Sequence, residues 1–420
     1  MKPIYIVSWL FALAVSFVSC DDWLDKTPKD RLYPDVYFKT EDELRLFTNQ
    51  FYNNLVPSAV DIYSESSDLI VKSDLMLEMS GQRIIPDEGN GWNFTALRDI
   101  NFYLQYSHNC TEVNARNRYD GVARFFRAYF YFEKVKRYGD IPWYDKALDS
   151  DDPELYKARD SREFVMQKML EDLDFAIANL PKTKNAYVLT RWTALALKSR
   201  VCLFEGTFRK YHGLEDCEKY LNACVSASET FMNESGYTLY KSGSTPYRDL
   251  FASINLQADE VIFGRDYEGS LSVLHNVQNY ENSTTMGRPG MNKKIVNSYL
   301  MADGSRFTDK AGYETMTFDQ ECQNRDPRLA QTIRTPGYTR IGSTKKEAPN
   351  LAYTMTGYHL IKYSMTANYD EYNKSCNDIP LFRTAEVYLN FAEAKAELGT
   401  LKQADINKSI KLLRDRVGMT

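Results

Sequence analysis

Apolar residues recur with the period of an α-helix through most of this 420-residue chain. Between residues 41 and 231 they define six helical segments, at residues 41–54, 93–115, 121–138, 161–180, 190–208 and 214–231. Residues 121–138 are apolar over such a wide arc that this helix must pack against two neighbours. Two further segments, at 385–399 and 406–418, follow near the end of the sequence. The periodicity therefore predicts a mainly α-helical protein.

The predicted helices occur as consecutive pairs separated by turn signals. Gly139 ends the third helix, and Pro142 prevents it from resuming. In the last pair, Ala392, Gly399 and Ala404 have the spacing of the small residues that let the two helices of a tetratricopeptide repeat approach closely. A generic antiparallel helix hairpin has the same spacing, but a series of stacked pairs buries a continuous core. The sequence thus predicts a tetratricopeptide-like scaffold of helix pairs.

A long segment at residues 237–380 interrupts the helical pattern. It is rich in Gly, Ser, Thr, Asn and Tyr, with short strand-like pieces at 260–263 and 358–363. Because irregular segments of this length are uncommon unless they are functional, we expect it to contact ligand and partner. The predicted organisation is an N-terminal helical region at 20–236, this loop-rich insertion, and a terminal helix pair at 381–420.

The N-terminus has the pattern of a secretory signal. Lys2 precedes an uncharged apolar stretch at residues 4–18, too short to span a bilayer comfortably but typical of the core of a signal peptide. Residues 17–20, Phe-Val-Ser-Cys, resemble a lipobox, after whose cleavage Cys20 would be the lipidated first residue. We therefore predict a lipoprotein signal peptide at residues 1–19 and acyl chains that hold the mature protein on a membrane. An ordinary soluble secretory signal ending near Ser19 is the alternative.

Composition narrows the possible partners. The net charge of -5 gives no basic footprint, which argues against nucleic acid. The chain contains 30 Tyr, 22 Phe and 5 Trp, and tyrosine suits a half-wet surface such as a sugar platform or a protein interface. Six cysteines besides Cys20 permit disulfides. Cys217 and Cys224, however, share a helical stripe with Leu221, so we interpret them as small core residues.

Four segments together resemble the SusD/RagB family, the surface lipoproteins that cap TonB-dependent transporters in Bacteroidetes. They are residues 20–46 (CDDWLDKTPKDRLYPDVYFKTEDELRL), 124–142 (RFFRAYFYFEKVKRYGDIP), 190–206 (TRWTALALKSRVCLFEG) and 383–418, which contains AEVYL, AEA and RDRVG. They occur in the order found in the family. Relatives usually continue with a further helical segment, so this chain is expected to end early, at Thr420, relative to the family.

The resemblance implies a function without bond making. Family members bind a nutrient, usually an oligosaccharide, and act as a hinged lid that delivers it to a SusC-like TonB-dependent transporter barrel. The implied location is the outer membrane, lipid-anchored and facing the cell exterior. A RagB-like lid that binds peptide is the alternative, and a lid whose ligand is held mainly by the transporter is a third possibility.

Ligand sites in the family tend to lie on loops near the first helices, which here points to residues 63–93. The candidate ligand-binding residues are Tyr63, Arg83, Asn90, Trp92 and Tyr280. They would supply stacking rings, a guanidinium group and an amide for the face and hydroxyls of a sugar. Trp92 also matches a tryptophan that begins a family helix and packs internally. Tyr267 and Asn282 of the insertion are further candidates.

Nothing in the sequence indicates catalysis. HExxH, GxSxG, Walker and GxGxxG motifs are absent from the sequence, and its four histidines are scattered. A glycosidase carboxylate pair is defined by its spatial separation, which a sequence does not give. Residues 368–378 offer oxygen ligands suited to calcium but lack the glycine and spacing of an EF-hand, so a solvated loop is favoured. We predict a protein that is not an enzyme, with no cofactor and no metal.

Overall fold

The computed structural model describes residues 36–63, 68–86, 89 and 91–419. The predicted signal peptide at residues 1–19, the predicted lipidation site Cys20, the candidate Asn90 and the terminal Thr420 lie outside the described residues. Within the described ranges, no helix has both the length and the apolar character needed to cross a membrane.

Helices dominate the structure, and two short antiparallel ribbons complete it. The α-helices are α1 (Glu41–Leu55), α2 (Leu77–Ser80), α3 (Thr95–Tyr106), α4 (Val113–Tyr138), α5 (Arg162–Asn179), α6 (Arg191–Tyr211), α7 (Cys217–Glu234), α8 (Pro246–Ala252), α9 (Val277–Glu281), α10 (Lys293–Ser298), α11 (Phe318–Glu321), α12 (Thr384–Glu397), α13 (Gln403–Asn407) and α14 (Ile410–Asp415). The strands are β1 (Ile70–Val71), β2 (Val261–Arg265), β3 (Gly290–Met291) and β4 (Ile379–Arg383). Strand β1 pairs with β3, and β2 with β4. The predicted mainly α-helical fold class is confirmed.

Local capping chemistry fixes several helix starts where the sequence predicts them. The hydroxyl of Thr40 accepts a hydrogen bond from the Glu43 N–H, and the Glu43 carboxylate accepts one from the Thr40 N–H at 3.0 Å, which forms a capping box on α1. Ser161 caps α5, and Thr190 caps α6. These hydroxyls satisfy N–H groups that have no partner within the helix.

Three predicted helices differ from the structure. The predicted helix at 93–115 ends at Tyr106, and α4 begins at Val113 instead of Gly121. Gly121 lies within α4, where a Cβ atom would be 3.3 Å from the Leu180 side chain, so its small size serves close packing. The predicted helix at 406–418 is divided into α13 and α14 because the backbone of Ser409 leaves the helical region.

The helices pack as successive neighbours around one large apolar core. Helix α4 contacts α1, α3 and α5, which covers the wide apolar arc noted in its sequence. Phe51 of α1 is edge-on to Tyr103 of α3 and Phe126 of α4, with ring centroids 6.2 and 6.1 Å away. Helix α6 packs on α7, and both contact α12. At Gly206 of α6, a Cβ atom would be only 2.7 Å from the Leu221 side chain.

The insertion contributes a second apolar cluster. Its members include Phe251, Val277, Leu329 and Tyr363, and Ala59 joins them from the segment after α1. The strand predicted at residues 260–263 is present as β2. The strand predicted at residues 358–363 is not formed, and this segment makes only isolated bridges. The bounds of the insertion, at residues 237 and 380, stay a prediction.

The cysteines in the described part of the chain are free thiols. Cys224 is buried between α7 and its neighbours, as expected of a small core residue. Cys217 is only half-buried at the start of α7. Burial raises the pKa of the Cys224 thiol to about 11, which keeps it protonated and unreactive near neutral pH.

Candidate functional site

A cleft of about 450 Å³ lies between the insertion and the segments that follow α1. The 3₁₀-helix Ala59–Tyr63 forms one wall, and residues around α9 form the opposite wall. The lining residues are Ser58, Ala59, Val60, Lys72, Tyr267, Leu274, His275, Asn276, Val277, Tyr280, Met286 and Tyr372. We call this space the tyrosine cleft.

Tyr267 joins the two walls of the tyrosine cleft. Its hydroxyl accepts a hydrogen bond from the Ala59 N–H at 2.8 Å, and its own N–H donates to the Asp378 carboxylate at 2.8 Å. The same carboxylate accepts the hydroxyl of Tyr187 at 2.7 Å. Burial raises the pKa of Asp378, and these hydrogen bonds oppose that rise. Tyr267 is therefore a fixed part of the cleft.

His275 is held in one tautomer beneath the cleft. Its Nδ1 accepts a hydrogen bond from the Val277 N–H at 3.2 Å, so Nε2 carries the proton and donates to the Asn377 carbonyl at 2.9 Å. Its ring is edge-on to Tyr267, with the centroids 4.5 Å apart. Only 6% of His275 is exposed, and this burial lowers its pKa to about 4.

Side-chain amides hold α9 against the loop that carries Tyr372. Gln278 donates to the Asp370 carboxylate at 2.8 Å, and Asn279 donates to the Asp370 carbonyl at 2.7 Å. Asn276 donates to the side chain of Asn373 at 3.0 Å. Since Tyr280 lies on α9, these bonds hold the helix segment that carries it beside the loop that carries Tyr372.

The tyrosine cleft offers aromatic faces and neutral polar groups. Tyr372 is 64% exposed at its rim, while Tyr280 is half-buried. Ser58 and Asn276 add a hydroxyl and an amide, and Lys72 adds a cation. No Asp or Glu occurs among its described lining residues. This combination suits a ligand with an apolar face and hydroxyl groups, and it contains no carboxylate pair for glycoside hydrolysis.

We expect His275 to make the protein sensitive to acid. The pKa of His275 is lower in the folded chain than in the unfolded chain, so between these two pKa values the unfolded chain binds a proton that the folded chain does not. The protein therefore loses stability as the pH falls from the unfolded pKa towards the folded one. Between about pH 7 and about pH 4.5, the free energy of unfolding of wild type should fall by about 2 kcal/mol more than that of His275→Asn. Urea unfolding at both pH values measures the difference.

His108→Asn is the control for this measurement, because His108 is exposed on the 3₁₀-helix Ser107–Asn109. This variant should keep the pH dependence of wild type. Equal pH dependence of wild type and His275→Asn would contradict the assignment.

The structure brings two of the candidate residues together. Tyr280 and Tyr267 both line the tyrosine cleft. Tyr280 lies beside Gly287, where a Cβ atom would be 3.1 Å from the Tyr280 hydroxyl. The backbone of Tyr63 ends the 3₁₀-helix whose first residues form the opposite wall.

The other candidates lie elsewhere. Arg83 forms an ion pair with Glu78 at 3.6 Å and is not a lining residue of the tyrosine cleft. Trp92 is 39% exposed, packs edge-on against Phe94 and lines a separate pocket of about 300 Å³. Asn282 is buried, and its side-chain oxygen Oδ1 accepts hydrogen bonds from Arg334 at 2.8 Å and Arg340 at 3.1 Å. Its amide is thus used within the insertion.

Sequence reasoning missed much of the cleft. Lys72, His275 and Tyr372 are too far apart in the sequence for any pattern to connect them. The one available signal was at Tyr372, an aromatic residue within a polar loop considered above only for its carboxylates. One of those carboxylates, Asp370, pairs with Arg340 at 2.6 Å.

Comparisons with known families give matches over both halves of the chain. Residues 228–420 match the SusD family. Residues 82–191 match a SusD-like family described as starch-binding and associating with the outer membrane. The two matched regions include most of the helical scaffold and the whole of the insertion.

Individual relatives agree with these matches. SusD-like protein P2 of Formosa agariphila is 26% identical in an alignment that covers 92% of this chain and 76% of that protein. SusD-like protein P38 of the same organism is 22% identical over 96% of this chain and 81% of its own length. A crystal structure of a SusD-like protein from Bacteroides fragilis has a TM-score of 0.74 at 22% identity, over 94% of this chain and 82% of that one. A SusD-like carbohydrate-binding protein from Bacteroides fragilis has a TM-score of 0.73 at 19% identity, over 91% and 79%.

Proposed function

The chain belongs to the SusD/RagB family of Bacteroidetes, and from this membership we propose that it binds an oligosaccharide in the tyrosine cleft and delivers it to a SusC-like TonB-dependent transporter. In this role it is a lid on the transporter, anchored through lipid on Cys20 in the outer membrane and facing the cell exterior. Its action is binding and release without catalysis.

The observation that carries the proposal is the set of tyrosines at one cleft. Tyr280 and the exposed Tyr372 offer ring faces, and Ser58 and Asn276 offer neutral donors and acceptors beside them. A sugar ring has an apolar face and a polar edge, which matches this arrangement.

A peptide is the second candidate ligand. Lys72 and the backbone of the 3₁₀-helix Ala59–Tyr63 would suit a peptide carboxylate and amide groups. This reading corresponds to a RagB-like lid on the same type of transporter. The aromatic lining favours the sugar.

Isothermal titration calorimetry against a panel of plant and host oligosaccharides tests the proposal. We expect at least one ligand to bind, and Tyr280→Ala and Tyr372→Ala to weaken that binding about tenfold each, or about 1.4 kcal/mol, through loss of a ring face. Tyr156→Ala is the matched control, because Tyr156 is 87% exposed and lies outside the cleft. It should bind as wild type does.

Two results would count against the proposal. If no oligosaccharide binds while peptides do, the ligand is a peptide and the RagB-like alternative holds. If Tyr156→Ala weakens binding as much as Tyr280→Ala, the tyrosine cleft is not the binding site.

A further inference from the structure

The turn between α5 and α6 links the helical scaffold to the insertion. Ala186 of this turn is buried in the apolar cluster of the insertion, and its carbonyl accepts a hydrogen bond from the Gly264 N–H of β2 at 2.9 Å. The side chain of Asn185 accepts from the Tyr187 N–H at 2.8 Å, which fixes the shape of the turn itself. We call residues 185–189 the junction turn.

Tyr187 extends from the junction turn to a buried carboxylate. Its hydroxyl donates to the Asp378 carboxylate at 2.7 Å, although 39% of the residue is exposed. Burial and this carboxylate raise the pKa of Tyr187 to about 12, so the hydroxyl stays protonated and can donate at neutral pH. Tyr187 is not a lining residue of the tyrosine cleft.

Asp378 is stabilised by neutral donors. It is 2% exposed, and besides Tyr187 it accepts from the Tyr267 N–H at 2.8 Å and the Leu256 N–H at 3.3 Å. No Arg, Lys or His in the described part of the chain pairs with it. A buried carboxylate without a counter-charge needs each of its hydrogen bonds, so loss of one donor should change the position of this carboxylate.

Tyr267 carries such a change to the tyrosine cleft. Its N–H bonds its backbone to Asp378, and its hydroxyl accepts from the Ala59 N–H at 2.8 Å. Tyr267 and Ala59 both line the cleft. Three hydrogen bonds therefore connect the junction turn with the wall that carries Ala59.

We propose that Tyr187 is a positioning residue for the tyrosine cleft and acts on it through Asp378 and Tyr267. This role rests on the proposed function, because it takes the cleft as the place where the ligand binds. Contacts between a ligand and the cleft depend steeply on distance, so a small displacement of Tyr267 and Ala59 is enough to weaken them. The helical scaffold thus takes part in recognition from outside the cleft.

Tyr187→Phe tests the proposal, because it removes only the hydroxyl. The probe is the oligosaccharide that binds most tightly in the calorimetric panel, or the tightest peptide if no oligosaccharide binds. We expect its Kd to rise about threefold to tenfold in Tyr187→Phe. Hydrogen exchange measured by mass spectrometry should also be faster in peptides that cover residues 57–63, because the Ala59 N–H is bonded less firmly.

Tyr52→Phe is the matched control. The Tyr52 hydroxyl, on α1, accepts from the Leu189 N–H of the junction turn at 3.0 Å, and none of its described contacts joins it to Asp378. This variant also removes a tyrosine hydroxyl that is bonded to the junction turn, so it reproduces a merely structural loss. Its Kd for the probe should equal that of wild type.

A double variant shows whether Tyr187 acts through Asp378. Asp378→Asn is expected to weaken binding of the probe, and the addition of Tyr187→Phe should weaken it no further, because both changes break the same connection. Thermal unfolding shows that each variant is folded. If Asp378→Asn does not fold, the comparison of Tyr187→Phe with Tyr52→Phe decides.

Four results overturn the proposal: an unchanged Kd in Tyr187→Phe, an equal loss in Tyr52→Phe, losses from Tyr187→Phe and Asp378→Asn that simply add, or unchanged exchange at residues 57–63. Failure of the proposed function has a different signature. In that case no probe binds, or binding does not respond to Tyr280→Ala, and exchange at residues 57–63 alone decides whether Tyr187 positions the cleft.

Discussion

Asp172→Ala is expected to destabilise the protein by about 3–5 kcal/mol, because it leaves the buried guanidinium group of Arg127 without its counter-charge. Asp172 is 1% exposed on α5 and accepts two hydrogen bonds from Arg127 of α4, at 2.7 and 2.8 Å. Arg124 adds a third contact at 3.3 Å. Arg127 also donates to the side chain of Asn101 of α3 at 3.2 Å, so Arg127 links α4 to both α3 and α5. Urea unfolding at neutral pH measures the loss.

The same helix supplies the control. Asp174 lies two residues away and pairs with Lys198, but its side chain is 59% exposed. Asp174→Ala should cost less than about 1 kcal/mol, since water screens an exposed pair and solvates the remaining partner. Asp172→Asn should lie between the two, because the amide oxygen can still accept from Arg127. A loss below about 1 kcal/mol for Asp172→Ala would show that the guanidinium groups find other partners.

Glu260→Ala is expected to have an effect of similar size, about 3–5 kcal/mol, and to loosen the last helices. Glu260 is fully buried just before β2 and pairs with Arg416, which follows α14, and with Arg383 at the end of β4. Its carboxylate also accepts from the Tyr240 N–H at 2.9 Å. Hydrogen exchange measured by mass spectrometry should be faster in α14 of Glu260→Ala than in α14 of wild type. Exchange in α4 should change less.

An exposed ion pair that also contacts the last helices provides the comparison. Glu229 of α7 pairs with Lys408, between α13 and α14, at 3.2 Å, and both side chains are about half exposed. Glu229→Ala should change stability by less than about 1 kcal/mol and leave exchange in α14 near the wild-type rate. Equal effects of Glu229→Ala and Glu260→Ala would mean that burial of the carboxylate contributes little.

The helical scaffold was predictable because its determinants are local. A 3.6-residue period, a hydroxyl at Thr40, Ser161 or Thr190, and a Gly or Pro at the end act within one or two turns. The errors occur where tertiary packing outweighs these signals. Gly121 resembles a helix start in the sequence. In the structure it lies within α4, and its lack of a side chain permits close contact with Leu180, which is distant in the sequence.

The tyrosine cleft was predictable only in part, because its walls meet through long-range contacts. The bond from Ala59 to Tyr267 joins residues 208 positions apart, and no periodicity carries that information. The aromatic composition suggested the chemistry, the family resemblance pointed to residues 63–93, and the length of the irregular insertion pointed to the opposite wall. Tyr280 and Tyr372 line the same cleft because side-chain amides of α9 bind the loop that carries Tyr372.

The side chains that hold the tyrosine cleft together are largely different from those that face its interior. Gln278 and Asn279 bind Asp370 and do not line the cleft, whereas Tyr280 and Tyr372 do line it. Exchange of either ring for another side chain would leave the supporting amides in place. A scaffold built in this way can acquire new recognition properties during evolution through substitutions at single exposed positions, while the contacts that stabilise its fold stay the same.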